Sequence, residues 1–489
     1  MTTPMTTDAL NRGARGAGAT ILGQVATMGI QFLGTIILSR LLAPEDFGLV
    51  AMVTVFVGVG ELLRDFGMPT AALQSRELSN QQASNVFWIT GAMSLAVAVI
   101  LTLCTPLLVA LYDEPRLSSI VPVMASVLLL NGLQAQYQVR LARSMRYVAL
   151  AGNSVVARSA GLAIGIFGAL VGWGYWAIVA QLVSQAFILL VGSGILTRWL
   201  PTRPRRGSDS LRLIRAGAHF GGAQVLTFAA DNVDTLMIGA VWGPQALGQY
   251  NRAFQLFMLP ITAIFSPLTN VVVPTINRAV AEGRNPSGVL IKIQTAVCGL
   301  SIWLLLITAA TAPWLIPLLL GDQWTLTIPL IQILSLGGAF RALSQTNYWA
   351  YIVHQQSRQL FLSNTVTKPL QVILIVGAAF ISVEAVAWAY VLGRAITWPI
   401  NLIWLWRTAG QNPIRFGLNG VRLLFAACAG FVVTTFALNG LAIGYPAISV
   451  VVGAVIATVV YFGAILLTPS GYSELRTSAV ILKAAIRRG

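Results

Sequence analysis

Long apolar runs separated by short polar breaks fill the chain from Ala17 almost to Leu467. A helix needs about 20 apolar residues to cross the hydrocarbon core of a bilayer. Dividing the chain at charged residues and at Pro and Gly breaks gives about fourteen runs of suitable length. The pattern predicts an all-α, polytopic membrane protein with about 14 transmembrane helices.

Basic residues are concentrated in alternate loops between the apolar runs. These loops are marked by Arg12, Arg64, Arg140, Arg198, Arg278, Arg358 and Arg407. The opposite loops hold Arg40 and Arg116 beside acidic residues such as Glu45 and Glu114. Because positive charge favours the cytoplasmic side of a membrane, the distribution predicts that both termini are cytoplasmic.

The composition agrees with a chain that is mostly embedded in lipid. Of its 489 residues, 56% are hydrophobic and 9% are charged, whereas soluble domains are about one quarter charged. A formal net charge of +16 would suggest nucleic acid in a soluble protein, but here the basic residues act as topology signals and no nucleic-acid partner is expected. The three cysteines lie inside apolar runs at no metal-ligand or disulfide spacing, and no metal site is expected.

An internal repeat divides the chain. The most basic and Pro-rich break, which starts at Arg198, separates six apolar runs from the next six. Gln24, Pro44 and Gly48 recur 200 residues later as Gln224, Pro244 and Gly248. The spacing predicts two six-helix lobes related by a parallel repeat, with two additional carboxy-terminal helices. The predicted parts are an N-lobe at 1–197, a basic cytoplasmic linker at 198–212, a C-lobe at 213–406, and two further helices with an amphipathic basic tail at 407–489.

Several motifs occur in a characteristic order along the chain. They are Leu38-Ser-Arg-Leu-Leu-Ala-Pro-Glu-Asp-Phe-Gly48, Phe66-Gly-Met-Pro69, Tyr112-Asp-Glu-Pro115, Asn232-Val-Asp-Thr-Leu-Met-Ile-Gly239, Ala246-Leu-Gly-Gln-Tyr-Asn-Arg-Ala253 and Leu320-Gly-Asp-Gln-Trp324. With these motifs the chain resembles the Wzx-type polysaccharide flippases of the multidrug/oligosaccharidyl-lipid/polysaccharide (MOP) exporter superfamily, in the branch of colanic-acid exporters and lipopolysaccharide-biosynthesis proteins.

The resemblance implies a flippase in the bacterial inner (plasma) membrane. Such a protein moves an undecaprenyl-diphosphate-linked oligosaccharide from the cytoplasmic to the outer leaflet by alternating access, for export of capsule, exopolysaccharide or lipopolysaccharide. It acts among membrane lipids, as a monomer, alongside a polysaccharide polymerase and a chain-length regulator.

Four arginines within the apolar runs are the candidate ligands of the diphosphate: Arg158, Arg252, Arg341 and Arg394. A charged residue inside a span is costly, so it is expected to face the protein interior or water. The planar guanidinium stays charged and matches phosphate oxygens. The alternative is that some of these arginines lie near an interface or pair with carboxylates to hold helices together. Gln24 and Gln224 are candidate ligands of sugar hydroxyls, with bonding between helices as the alternative.

Two carboxylates, Asp231 and Asp234, lie three residues apart in the seventh apolar run. Carboxylates within a membrane bind coupling ions or form structural pairs. Both readings stay open here: H⁺ or Na⁺ coupling through Asp234 and Asp231, or pairing of Asp234 with Arg252. No other cofactor is expected.

Other functions remain alternatives. A multidrug or cation antiporter of the same fold should have an acidic or aromatic cavity, whereas these runs contain more Arg than Asp. A lipid II flippase and a membrane glycan polymerase are weaker alternatives. An enzyme is not expected, because His219 and His354 are the only histidines, Asp-x-Asp does not occur and the loops are short.

Overall fold

The computed structural model describes residues 7–65, 79–204, 224, 227–282, 286–409, 413–441 and 443–467, and every regular element in these ranges is helical. The motif Phe66-Gly-Met-Pro69, the linker from residue 205 onward, His219 and the tail beyond residue 467 lie outside the described residues. The chain separates into two compact units, residues 1–248 and 249–488.

The first unit is an assembly of long helices. Its helices are α1 (Thr7–Leu41), α2 (Pro44–Asp65), α3 (Asn80–Leu103), α4 (Thr105–Tyr112), α5 (Leu117–Arg143), α6 (Tyr147–Leu170), α7 (Tyr175–Thr197) and the start of α8 (Val233–Ala281). Gly243 interrupts α8 with a φ of 75° and a ψ of −176°, a conformation that glycine adopts without strain.

The second unit contains the rest of α8 and the remaining helices. These are α9 (Pro286–Ile293), a π-helical turn (Gln294–Cys298), α10 (Gly299–Leu320), α11 (Thr327–Val353), α12 (Ser357–Ala379), α13 (Val383–Ala409), α14 (Pro413–Leu441) and α15 (Pro446–Leu466). In the described part of the chain, 11 helices are long and apolar enough to cross a membrane. The predicted all-α, multi-pass membrane fold is confirmed.

Local sequence signals start the helices. Ser79 and Gln82 form a capping box before α3: the Gln82 amide donates to Ser79 Oγ at 3.1 Å, and the Ser79 amide donates to Gln82 Oε1 at 3.0 Å. Before α2, the amide of Ala43 donates to the carboxylate of Asp46 at 3.0 Å. These bonds satisfy amides that have no partner within the helix.

The internal repeat is visible in the backbone of each unit. Met145 lies just after the end of α5 and has a φ of 54°. Gln355, 210 residues later, lies just after the end of α11 and also has a φ of 54°. In both turns the next amide donates to a carbonyl five residues earlier, at 3.0 and 2.9 Å. Neither residue is the glycine that usually occupies this left-handed position, so shared ancestry explains the match better than turn propensity does.

A polar side-chain pair repeats with its partners exchanged. In the first unit, Nδ2 of Asn153 on α6 donates to Oγ of Ser193 on α7 at 2.9 Å. In the second unit, Oγ of Ser363 on α12 donates to Oδ1 of Asn401 on α13. The same two helices of each unit are thus tied by one Asn–Ser hydrogen bond, although the amide and the hydroxyl have changed places. These matched turns and side-chain pairs support the internal repeat that the sequence predicts.

The exchanged Asn–Ser pair predicts that two destabilising substitutions partly compensate each other when they are combined. Asn153→Ser and Ser193→Asn should each destabilise the protein by about 1 kcal/mol, because each leaves a buried polar group without its partner. Together they reproduce the arrangement of the second unit, so the double variant should lose less stability than the sum of the two. Melting temperatures of the four proteins in detergent form the cycle. Purely additive losses would contradict the proposed equivalence.

Candidate functional site

Two Pro-x-x-x-Gly turns of the first unit pack directly on each other. A Cβ atom added to Gly48 would lie 1.8 Å from the carbonyl oxygen of Pro244, and one added to Gly248 would lie 1.8 Å from the carbonyl oxygen of Pro44. The contact is reciprocal, as in a two-fold interface in which the same surface is used twice. These four residues are the Pro and Gly pairs that the sequence repeat identified. We call them the turn pair.

An ion-pair network lies near the start of α2. Arg116 donates to Glu45 of α2, and its Nε donates to Oε1 of Glu114 at 2.8 Å. Because Arg116 donates hydrogen bonds to Glu114, the pKa of the Glu114 carboxyl lies below its ordinary value. The ion pairs therefore join residues of two segments that are distant in the sequence. The sequence predicts only that both segments lie on the same side of the membrane.

This network predicts a pH-dependent stability difference. A carboxyl whose pKa is lowered by folding stabilises the fold above its unfolded pKa of about 4.3, and this contribution is lost as the pH falls through the folded value. Arg116→Ala should therefore lower stability at neutral pH by on the order of 1 kcal/mol, a small effect because solvent screens the pairs. Melting curves of both proteins should converge below about pH 4. A difference that is independent of pH would contradict the role of Glu114.

Arg158 and Gln31 form a polar contact in the first unit. Nη1 of Arg158 on α6 donates to Oε1 of Gln31 on α1 at 3.2 Å, and Arg158 is half-buried. Gln24 lies seven residues before Gln31, on the same face of α1, and is exposed. Gln224 is helical and exposed. The structure thus places the candidate Arg158 beside Gln31, which lies on the same face of α1 as the candidate Gln24.

The two candidate carboxylates have different surroundings. Asp234, in the first turn of α8, is 3% exposed, and its Oδ1 accepts the amide of Thr235 at 2.8 Å. Asp231 is half-buried and is separated from α8 by a turn at Asn232. Burial makes Asp234 the more strongly constrained of the two groups, since a desolvated carboxylate needs protons, cations or donors around it.

In the second unit, two candidate arginines meet at one tyrosine. Nη1 of Arg341 on α11 lies 3.4 Å from the hydroxyl of Tyr390 on α13. The guanidinium of Arg394, one helical turn after Tyr390, lies 5.2 Å from the centre of the tyrosine ring. This distance is within the range of a cation–π contact. The structure therefore brings Arg341 and Arg394 together around a side chain that the sequence analysis had not identified.

The third candidate arginine of this unit lies on the helix that packs against the same tyrosine. The rings of Phe254 and Phe257 on α8 lie 5.8 and 6.0 Å from that of Tyr390. Arg252, two residues before Phe254, is 9% exposed and donates to Oε1 of Gln255. We call Arg341, Arg394 and Tyr390 the arginine–tyrosine cluster. The spacing of Tyr390 and Arg394, four residues apart on one helix, was the available sequence signal.

Three more charged side chains lie buried or half-buried within helices. Arg64 is 6% exposed, and its Nη1 lies 3.5 Å from the carbonyl of Leu128. Glu61, one turn earlier on α2, accepts from Nδ2 of Asn131 at 2.7 Å. Arg422, on α14, donates to Oδ1 of Asn419 at 3.0 Å. Arg64 appeared to be a loop residue because it directly follows the last apolar residue of the run, whereas α2 ends only at Asp65.

A cavity of about 400 Å³ lies within the second unit. It is lined by α10, α11, α13 and α14, with Leu305, Leu336, Trp388 and Phe431 among its walls. Nearly all of its surface is apolar, so the cavity suits a hydrocarbon chain or an aromatic group rather than a sugar.

Residues 37–329 match the family model described as "Polysaccharide biosynthesis protein". The chain belongs to this family. The resemblance to polysaccharide exporters that the motifs indicated is therefore confirmed.

Proteins named for polysaccharide biosynthesis match much of the chain. The succinoglycan biosynthesis transport protein ExoT of Rhizobium meliloti is 25% identical over 66% of this chain and 65% of its own length. The teichuronic acid biosynthesis protein TuaB of Bacillus subtilis is 23% identical over 59% of this chain and 60% of its own length. The lipopolysaccharide biosynthesis protein WzxC of Escherichia coli is 21% identical over 67% of each chain. The chain thus matches slightly less than two thirds of the length of the first two.

Solved structures of MOP transporters share the fold. The lipid II flippase MurJ, in an inward closed conformation, matches 90% of this chain and 98% of its own with a TM-score of 0.71 and 13% identity. A multidrug resistance MATE family transporter, in an inward-facing conformation, matches 81% of this chain and 95% of its own with a TM-score of 0.60 and 15% identity. At these identities the likeness shows the fold alone.

Proposed function

We propose that this protein is a flippase that moves undecaprenyl-diphosphate-linked oligosaccharide repeat units from the cytoplasmic to the outer leaflet of the bacterial inner membrane, for export of a surface polysaccharide. The family match and the relatives named for polysaccharide biosynthesis support this cargo class. Transport is supported by the succinoglycan relative, which is named as a transport protein.

The arginine–tyrosine cluster is the observation that carries the proposal. Two guanidinium groups of the second unit, those of Arg341 on α11 and Arg394 on α13, touch the same tyrosine. A diphosphate offers several anionic oxygens, and guanidinium groups bind these with charge-assisted hydrogen bonds. The cluster therefore suits the diphosphate of such a cargo.

The apolar cavity suits the lipid part of such a cargo. A polyprenyl chain has no polar groups and would bind by burial of hydrocarbon surface alone, which this lining provides. We propose that the cavity binds a segment of the polyprenyl chain and that the arginine–tyrosine cluster binds the headgroup. Gln24, Gln31 and Gln224, with Arg158, are the proposed contacts of the first unit to sugar hydroxyls and phosphate.

Energy coupling is proposed to use a carboxylate of the first unit. Asp234 is the proposed site of H⁺ or Na⁺ binding, because it is the buried carboxylate of the candidate pair. Asp231 is proposed to assist it. Both termini are proposed to be cytoplasmic, and a polysaccharide polymerase and a chain-length regulator are proposed to act after the flippase, which itself works as a monomer.

Depletion of the protein in its own bacterium tests the function. The expected result is accumulation of one complete undecaprenyl-diphosphate-linked repeat unit on the cytoplasmic face, measured by mass spectrometry of membrane lipids and by leaflet-specific labelling. The structure of that lipid would also name the glycan. Unchanged lipid-linked sugars together with increased sensitivity to cationic compounds would overturn the proposal in favour of a multidrug exporter.

A further inference from the structure

A layer of buried polar side chains surrounds the π-helical turn of the second unit. Gln294 begins this turn, and its neighbours include Thr295 and Asn419 of α14. Nδ2 of Asn419 donates to Oε1 of Gln294 and to Oγ1 of Thr295, both at 3.0 Å. π-helical turns are rare and are often found at functional sites. The hydrogen-bond partners of the polar atoms in this layer therefore bear on its function.

The hydrogen bonds fix the orientation of the amides in this layer. Arg422 can only donate, and its Nη2 lies 3.0 Å from Oδ1 of Asn419. The amide nitrogen of Asn419 must then face Gln294, and so the oxygen of Gln294 must face Asn419. The Nε2 group of Gln294 consequently points away from this partner. It is completely buried and has no acceptor among the described residues.

A second buried group with an N–H donor lies beside the same stretch of α14, and a third lies on α11, one turn after a residue that contacts this stretch. Ring atoms of Trp398 lie 2.4 and 2.7 Å from the position that a Cβ of Gly420 would occupy, directly after Asn419. Leu343 Cδ1 lies 3.3 Å from the same position, and Asn347 follows Leu343 by one turn of α11. Within the part of the chain that the structure describes, Nε1 of Trp398 and both amide atoms of Asn347 have no hydrogen-bond partner. Trp398 is 6% and Asn347 2% exposed.

The surrounding charge has one sign. Helices α9, α10, α11 and α14 contain no Asp or Glu, while Arg341, Lys292 and Arg422 lie on them. On α13 the acidic residue is Glu384, in its first turn and about four turns of helix before Trp398. Indole and amide N–H groups without acceptors, in a region of positive charge, favour a ligand that accepts hydrogen bonds and carries negative charge.

We propose that Gln294, Trp398 and Asn347 bind a small inorganic anion of the halide class, such as chloride, between the π-helical turn, α11, α13 and α14. The near-complete burial of all three side chains excludes a bulky phosphate ester and favours a monatomic, weakly hydrated anion. Bound there, the anion ties α14, the first of the two additional helices, to the helices of the preceding repeat. The proposal does not depend on the cargo.

Halide-dependent stability of the full-length protein in detergent tests the site. Sodium gluconate is replaced by sodium chloride or bromide at constant ionic strength, and the melting temperature is followed. The wild type should gain several degrees with a saturable, millimolar dependence. Gln294→Leu and Trp398→Phe should weaken the apparent affinity at least about tenfold, which corresponds to loss of one charge-assisted hydrogen bond. Trp398→Phe keeps the ring and removes only the N–H donor, so it carries the test if Gln294→Leu fails to fold.

Ser335→Ala is the matched control. Ser335 on α11 is also buried with an unpartnered hydroxyl, but it lines the apolar cavity instead of the polar layer. Its halide dependence should equal that of the wild type. Anomalous scattering from bromide-soaked crystals should show a peak beside Gln294. A wild type without halide dependence, a dependence retained in both layer variants, or ordered water in place of the bromide peak would each overturn the proposal.

Discussion

Gly48→Ala is expected to destabilise the protein by about 3 kcal/mol, at the upper end of the usual cost of overpacking. The added methyl group would lie 1.8 Å from the carbonyl oxygen of Pro244. That oxygen belongs to the backbone, so the two turns would have to separate rather than let a side chain rotate away. Gly248→Ala should have a similar effect, because a methyl group there meets the carbonyl of Pro44 at the same distance.

Gly29→Ala is the matched control for the turn pair. Gly29 lies within α1, and no atom lies within 4 Å of the Cβ that it lacks. Alanine there should leave stability unchanged or raise it by up to about 1 kcal/mol, since alanine favours helix more than glycine does. Unfolding in detergent, followed by melting temperature and by yield of monodisperse protein, compares the three variants. Gly48→Ala with the melting temperature of the wild type would contradict the close packing of the turn pair.

Arg341→Ala and Arg394→Ala are each expected to reduce glycan export about tenfold, and the double variant to abolish it. Each substitution removes one charged donor from the site proposed for the diphosphate, and a hydrogen bond to a charged group contributes about 1.5–3 kcal/mol. Arg394→Lys should be intermediate, because lysine keeps the charge but loses the planar guanidinium that stacks on Tyr390. Export is measured as surface polysaccharide in a strain that lacks the chromosomal copy, at equal membrane abundance.

Arg358→Ala is the matched control for these variants. Arg358 is an exposed arginine near the start of α12 and takes no part in the arginine–tyrosine cluster. Its loss should leave export unchanged. Full export by the Arg341/Arg394 double variant would remove the cluster from the transport pathway, whatever the cargo is.

Much of the fold could be predicted from sequence because its signals are local or periodic. The apolar runs predict helices wherever a membrane must be crossed, and the spacing of Pro44 and Gly48 with Pro244 and Gly248 predicts the repeat. What the repeat could not predict is that these two turns touch, because equal spacing shows equivalence and not contact. The exchange of Asn and Ser between Asn153–Ser193 and Ser363–Asn401 could not be predicted either, because neither position of the pair keeps the same residue in both units.

The candidate site could be predicted only in part. Arg341 and Arg394 were evident as charges in apolar runs, where their cost demands a reason. Tyr390 was not evident, because a tyrosine in a membrane helix is usually explained by its position near the lipid headgroups. Gln294, Asn347 and Trp398 gave no signal at all. The hydrogen bond between Gln294 and Asn419 joins two residues that are far apart in the sequence. Asn347 and Trp398 matter because the structure buries their N–H donors without a partner among the described residues.

Reconstitution of the purified protein tests the central claim most directly. Liposomes are prepared with undecaprenyl-diphosphate-linked oligosaccharide from the same bacterium in the inner leaflet, and the fraction that becomes accessible to an external glycosidase is followed in time. Wild-type protein should move the lipid-linked sugar to the outer leaflet, whereas the Arg341/Arg394 double variant should leave it where the protein-free liposomes do. Folded wild-type protein that moves no lipid-linked sugar under any imposed H⁺ or Na⁺ gradient would contradict the flippase function.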